Sequence, residues 1–140
     1  MSSRDQMIAD LQSGAAAENS GDASNKRVLI RGSDPVIAQR ASGFMPALLG
    51  NCHLSVCTDD NTFLKFLEES KFDVVGFAPG ACRWDRAGKP IPGGNADTQG
   101  WSLEKYRDKV RELQGENVKI VGTADEKELV PVFRKALGLK

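Results

Sequence analysis

Four short strand-like runs set the limits on what this chain can fold into. They are Arg27–Arg31, His53–Cys57, Phe72–Ala78 and Val118–Gly122. Each is followed, directly or after a loop, by a segment whose apolar residues recur at helical spacing. After the first run, stopped by Gly32, come Ile37, Ala41, Phe44, Met45 and Leu48, with Pro35 suited to a first helical turn. After the second, Asp59 or Asp60 is placed to cap a helix carrying Phe63, Leu64, Phe66 and Leu67. The third run is nearly all apolar, as a strand covered on both faces must be. Beyond it, Ser102 can cap a helix with Leu103, Tyr106, Val110 and Leu113 on one face. After the fourth run, Asp125 can cap a helix carrying Leu129, Phe133 and Leu137. Pro46 and Pro131 fall inside two of these helical patterns, so a kink or break is expected near Gly43 and a kink at Pro131.

A strand–helix alternation of this kind is an α/β pattern, with a parallel sheet and helices on both faces. Right-handed crossovers leave few topologies. The expected architecture is a three-layer, doubly wound sheet of four parallel strands in the flavodoxin-like order 2-1-3-4. Its switch point lies between strands one and three, and ligands of such sheets sit outside the carboxyl ends of those strands. The residues predicted there are Gly32, Ser33, Asp34 and the stretch from Pro79 to Arg86. The chain's 140 residues suit one domain. Residues 1–25 stand apart: they hold no aromatic residue, and Arg4 alone faces Asp5, Asp10, Glu18 and Asp22. That stretch is expected to be a flexible arm, because it buries too little apolar area to offset ordering entropy. Within it Met7, Ile8 and Leu11 can form one short amphipathic turn able to dock. Residues 26–140 are then the single α/β domain, with a long loop at 79–100.

The stretch Arg27-Val-Leu-Ile-Arg-Gly-Ser-Asp-Pro-Val-Ile-Ala-Gln-Arg40 resembles the opening of response-regulator receiver domains. The resemblance continues through Val56-Cys-Thr-Asp-Asp60, the helix from Phe63 to Leu67, Lys71-Phe-Asp-Val-Val75 and Val118-Lys-Ile-Val-Gly-Thr-Ala124. It implies the receiver fold but not receiver chemistry. The family's magnesium-binding acids after strand one fall at Gly32 and Ser33, leaving Asp34 alone, whereas hard cations want several oxygen ligands. The family's phosphoacceptor falls at Ala78, which can neither coordinate a cation nor attack phosphorus. Thr123 matches the family's hydroxyl residue, while its lysine after strand five has no counterpart and no fifth strand is expected. Strand four is then an open edge, a hazard that chains cover or pair. The arm, the long loop, or a second copy in a homodimer are the candidate covers.

The sequence excludes several classes. Lys plus Arg and Asp plus Glu are each 19, so the chain lacks the basic excess of a nucleic-acid binder. No apolar run approaches the roughly 20 residues of a membrane span. Met1 to Gln12 shows no apolar signal region. Cys52, Cys57 and Cys82 are odd in number and widely spaced, which fits reduced thiols and a cytoplasmic setting. Cys52, His53 and Cys57 with a distant Cys82 match no standard zinc spacing, so no metal is assigned. The glycine-rich stretch is neither a P-loop nor a dinucleotide fingerprint, so no cofactor is assigned.

The loop at 79–100 is the remaining lead, because structureless connections longer than about 12 residues are uncommon in compact domains. Arg83 and Arg86 flank Trp84, with Lys89 nearby, and arginine binds phosphate or carboxylate through paired hydrogen bonds. The candidate ligand-binding residues are Gly32, Ser33, Asp34, Arg83, Trp84 and Arg86, and the ligand class is anionic or nucleotide-like. The plainer alternative makes Trp84 and Trp101 loop anchors and lets the arginines pair with neighbouring carboxylates. No catalytic set is assigned, since His53 is the single histidine and lies away from the crevice. Two functions follow. One is a phosphorylation-incompetent receiver-like domain working by protein contacts or by self-association through the strand-four edge. The other is a small-molecule-binding domain or small transferase or hydrolase.

Overall fold

The computed structural model describes residues 3–13 and 21–139. Its centre is β1 (Arg27–Arg31), where four of five residues are buried. β1 pairs in parallel with β2 (His53–Cys57) on one side and β3 (Val74–Phe77) on the other. β4 (Lys119–Gly122) pairs with β3, giving the order β2-β1-β3-β4. The fold is therefore the flavodoxin-like parallel α/β sheet that the strand–helix alternation predicts.

Side chains alternate across a strand, so each strand feeds both layers. Val28, Ile30 and Val74 face a core with Ala41, Met45, Leu129 and Phe133. Those partners come from α2 (Pro35–Leu48) and α6 (Glu126–Ala136). Leu29, Val75 and Phe77 face the opposite core, with Phe63, Leu67, Tyr106 and Val110. These belong to α3 (Asp60–Glu69) and α5 (Leu103–Gln114). Gly76 has a packing reason. A Cβ there would lie 2.0 Å from the Phe133 ring, so only glycine lets α6 close on β3.

The structure corrects three expectations. Residues 4–13, assigned to a flexible arm, form helix α1 (Arg4–Ser13), which packs on α6 and α2 and buries Ile8 and Leu11. Residues 1–2 and 14–20 of that arm lie outside the described residues. The 79–100 loop begins as helix α4 (Pro79–Arg86), so the loop proper starts at Ala87. Pro79 and Gly80 sit in the helix's first turn, where a missing N–H does no harm. α2 runs without a break past Gly43 to Leu48. Pro46 lies so close to the helix end that few hydrogen bonds depend on it.

Candidate functional site

β1 and β3 end side by side, and their exits diverge into α2 and α4 on opposite faces. Gly32, Ser33 and Asp34 follow β1, while Ala78, Pro79 and Gly80 follow β3. Asp34 is the N-cap of α2 and accepts from the amides of Val36 and Ile37. Ser33 and Gly80 pack so closely that a Cβ at Gly80 would stand 2.4 Å from the Ser33 hydroxyl.

Between these turns lies a cavity of about 60 Å³. Ile30, Ile37, Met45, Val56 and Leu129 form its apolar wall, and Met7 and Leu11 of α1 roof it. Ser33, Asp34, Arg83 and Glu126 stand at its rim. Ligand clefts usually have about 300 Å³ or more, so the switch point is closed to all but a very small molecule.

Each charge at the rim has a partner within the chain. Arg4 Nε donates to Asp34 Oδ2 at 2.7 Å, so α1 is tied to the β1 exit. Partial burial raises the Asp34 pKa, but the Arg4 hydrogen bond and the two helix amides outweigh it and hold the carboxyl below 3.8. Arg83 donates from Nη1 and Nη2 to the Glu126 carboxylate at 2.9 and 2.7 Å, and from Nη1 to the Ala124 carbonyl at 2.8 Å. The Glu126 hydrogen bond raises the Arg83 pKa against the effect of burial. Arg83 Nη2 also lies 4.0 Å from the Met7 sulfur.

Of the predicted site residues, Gly32, Ser33, Asp34 and Arg83 line this one cavity. Trp84 and Arg86 do not; Trp84 is 40% exposed and Arg86 faces solvent. Asp85 accepts from the Leu103 amide at 2.8 Å, joining α4 to the start of α5. Trp101 stacks edge-on against Tyr106. The three cysteines are free and buried, Cys52 in one layer and Cys57 and Cys82 in the other. Burial pushes the Cys52 thiol up to about 11 and Cys57 to about 12. No group of three or more metal-ligating side chains is gathered among the described residues.

The neighbouring polar cluster escaped sequence reasoning. Arg31, fully buried at the end of β1, reaches Asp60 Oδ1 with Nε and Nη2, both at 3.0 Å. Its Nη1 donates to the Gly32 carbonyl and its Nη2 to the Pro92 carbonyl at 2.7 Å. The Tyr106 hydroxyl donates to Asp60 Oδ2 at 2.6 Å. The Gly93 carbonyl accepts from the Asp60 amide at 2.8 Å. The cluster thus pins the 87–102 loop across the sheet's carboxyl end. Burial first, and then the Asp60 hydrogen bond, raises the Tyr106 pKa, so the phenol stays a donor.

No family model, no curated protein and no solved structure matches this chain.

Proposed function

We propose that this chain is a receiver-like domain without phosphorylation chemistry, working through protein contacts that include pairing of two copies along β4. The observation that supports this over a small-ligand site is the filled switch point. α1 roofs the crevice, and Asp34 and Arg83 are engaged by Arg4 and Glu126. The positions that carry metal and phosphate in receivers hold Gly32, Ser33 and Ala78.

The β4 edge supports the self-association. Among the described residues, β4 pairs only with β3. The Lys119 amide donates to the Asp73 carbonyl, which lies just before β3. Strand alternation then turns the backbone groups of Ile120 and Gly122 outward, where they are ready to meet another strand. Two copies related by a two-fold axis present the same edge to each other.

A thermal-shift panel of nucleotides, sugar phosphates and beryllofluoride with magnesium is expected to leave the melting temperature unchanged. A dose-dependent rise lost in Arg83→Ala/Arg86→Ala would replace this reading with the ligand-binding one. Light scattering after size exclusion should show dimers that Ile120→Pro dissolves, because proline removes an outward-facing amide from the edge. A strict monomer at all concentrations would rule out edge pairing.

A further inference from the structure

The loop from Ala87 to Ser102 curls around an open cleft of about 640 Å³, lined by Pro90, Pro92, Asn95, Gln99, Trp101 and Tyr106 among others. That volume falls within the range of about 300–1,000 Å³ typical of small-molecule sites, whereas the switch-point cavity has about 60 Å³. A smaller hollow of about 260 Å³ adjoins the cleft, and Pro90, Gly100 and Trp101 border both. The Trp101 indole is thus a ridge between two hollows. Gly88 and Gly100, with φ of +70° and +77°, let the chain turn at the two ends of this loop.

The wall is set before any ligand arrives. Arg31 holds the Pro92 carbonyl and the Asp60 amide holds that of Gly93. Ile91 and Thr98 are buried. The Asn95 side chain accepts from the amides of Asp97 and Thr98 and donates from Nδ2 to Asn61 Oδ1. A preset wall spares a ligand the cost of ordering it. Two groups on it stay free. The Gln99 side chain is exposed, and neither it nor the Trp101 indole N–H makes a hydrogen bond among the described residues. The indole donates, and the amide both donates and accepts.

No Asp, Glu, Lys or Arg is among the described residues that line the cleft, so a charged ligand meets no counter-charge there. The smaller hollow carries Asp85 and Lys89, one charge of each sign. Lys105, its Nζ 5.8 Å from the indole centroid, lines neither. We propose that the cleft binds an uncharged sugar chain. One ring lays its C–H face on the Trp101 indole and turns its hydroxyls to Gln99, and the next ring lies in the smaller hollow. A sugar ring has an apolar face and a polar rim, which suits one indole beside one free amide. A planar heterocycle is better held between two parallel rings, and a polyproline segment by an aromatic-lined groove. Here Tyr106 meets the indole at 77° and is 2% exposed, so Trp101 alone among the described lining residues offers an aromatic face.

The test reads tryptophan fluorescence in the full chain carrying Trp84→Phe, which leaves Trp101 as its only tryptophan. The probes are glucose, N-acetylglucosamine, maltotetraose, cellotetraose and chitotetraose. At least one tetramer is expected to change the emission saturably. Its monomer should bind about tenfold more weakly, because it reaches only one hollow. Gln99→Ala should weaken the tetramer by about three- to tenfold, the loss of one hydrogen bond. Glucose 6-phosphate should bind no better than glucose. Calorimetry of Trp101→Ala should show no binding heat, with circular dichroism to verify its fold; if that variant is unfolded, Gln99→Ala, at an exposed position, carries the test. The proposal is overturned by the absence of a saturable response to every probe, or by a Gln99→Ala chain that binds the tetramer as its parent does. Tighter binding of glucose 6-phosphate, or a response to a decaproline peptide in place of the sugars, would also overturn it. Ile120→Pro leaves these readouts unchanged, so this proposal and the pairing along β4 fail separately.

Discussion

Arg31 is the residue on which the closed end of the sheet depends. It brings a full charge into a site with no solvent contact, and Asp60 is equally buried. Such a pair contributes little net stability against an apolar equivalent, but breaking it strands the partner's charge. Arg31→Met is therefore expected to lower the unfolding free energy by about 3–5 kcal/mol in urea denaturation. Tyr106→Phe leaves Asp60 one donor short and should cost about 1–3 kcal/mol. Combining Arg31→Met with Asp60→Leu should cost less than Arg31→Met alone, because no buried charge is left behind. Gly93 is the backbone counterpart of this cluster. Its φ is +91°, and a Cβ would lie 2.1 Å from the Thr58 carbonyl, so Gly93→Ala should destabilise the fold and free the loop. The thiols add a pH dependence. The folded values of Cys52 and Cys57, about 11 and about 12, lie above the ordinary 9.0. A raised folded value means stability that is complete below 9.0 and is lost as pH climbs through 11 and 12. Denaturation midpoints should accordingly be flat from pH 7 to 9 and fall beyond it. A thiol reagent at pH 8 should label the folded chain slowly and the unfolded chain at once, since the thiolate is the reactive form.

At the scale of elements, α1 is held on α6 and α2 by two buried side chains. Ile8 and Leu11 are its buried side chains, and its ion pairs, Arg4–Asp34 and Asp5–Arg40, are largely exposed. Exposed pairs contribute about 0–1 kcal/mol each. Amides of α1 should therefore exchange with solvent faster than those of α2 or α6, and Leu11→Ala should speed them further without moving the global unfolding midpoint much. Acid should act in the same direction. The folded Asp34 pKa lies below 3.8, so its contribution is present above 3.8 and is lost as pH falls through the lower, folded value. Below that pH α1 exchange should accelerate before the core's; simultaneous acceleration would mean that α1 opens only with the whole molecule. The same contrast explains what could be read from the sequence. The four strands and the helices α2, α3, α5 and α6 carry their periodicity within single segments, so they are legible locally. α4 was obscured because Pro79 and Gly80 look like loop composition when counted, although both suit a first helical turn. Gly32, Ser33, Asp34 and Arg83 were placed together by topology alone, since parallel order fixes which strand exits meet. The Arg31–Asp60–Tyr106 cluster was invisible because its members are 29 and 46 positions apart and share no period. The pairing of Arg83 with Glu126 was hidden for the same reason, across 43 positions.

The whole molecule couples a neutral charge to a sheet edge, β4, that pairs among the described residues only with β3. With 19 residues of each sign and a pI near 6.6, copies repel one another little at neutral pH. Nor does the rest of the surface offer much to associate through. Among the described residues the exposed large apolar side chains are Val36 and Trp84, at 39% and 40% exposure. Isolated residues of that kind are ordinary on a protein surface. The proposed self-association would then concentrate at β4, where Ile120 and Val121 are half-buried and flanked by the exposed Lys119 and Gly122. Edge strands in general are protected by a charge placed on them. Here the one charge, Lys119, sits at the strand's start with its Nζ donating to the Ala136 carbonyl at 3.1 Å. It is thus turned toward the chain's own helix rather than toward an approaching copy. The association measured by light scattering should then be strongest near pH 6.6 and weaken by pH 8.5, as net negative charge builds on each copy. Added salt should restore it at pH 8.5 by screening that repulsion. Ile120→Pro should abolish the pH and salt responses together, because it removes an outward-facing amide where the two edges meet while the Ile120 side chain packs on the sheet face. Dimers that persist unchanged across this pH range and survive Ile120→Pro would move the interface away from β4.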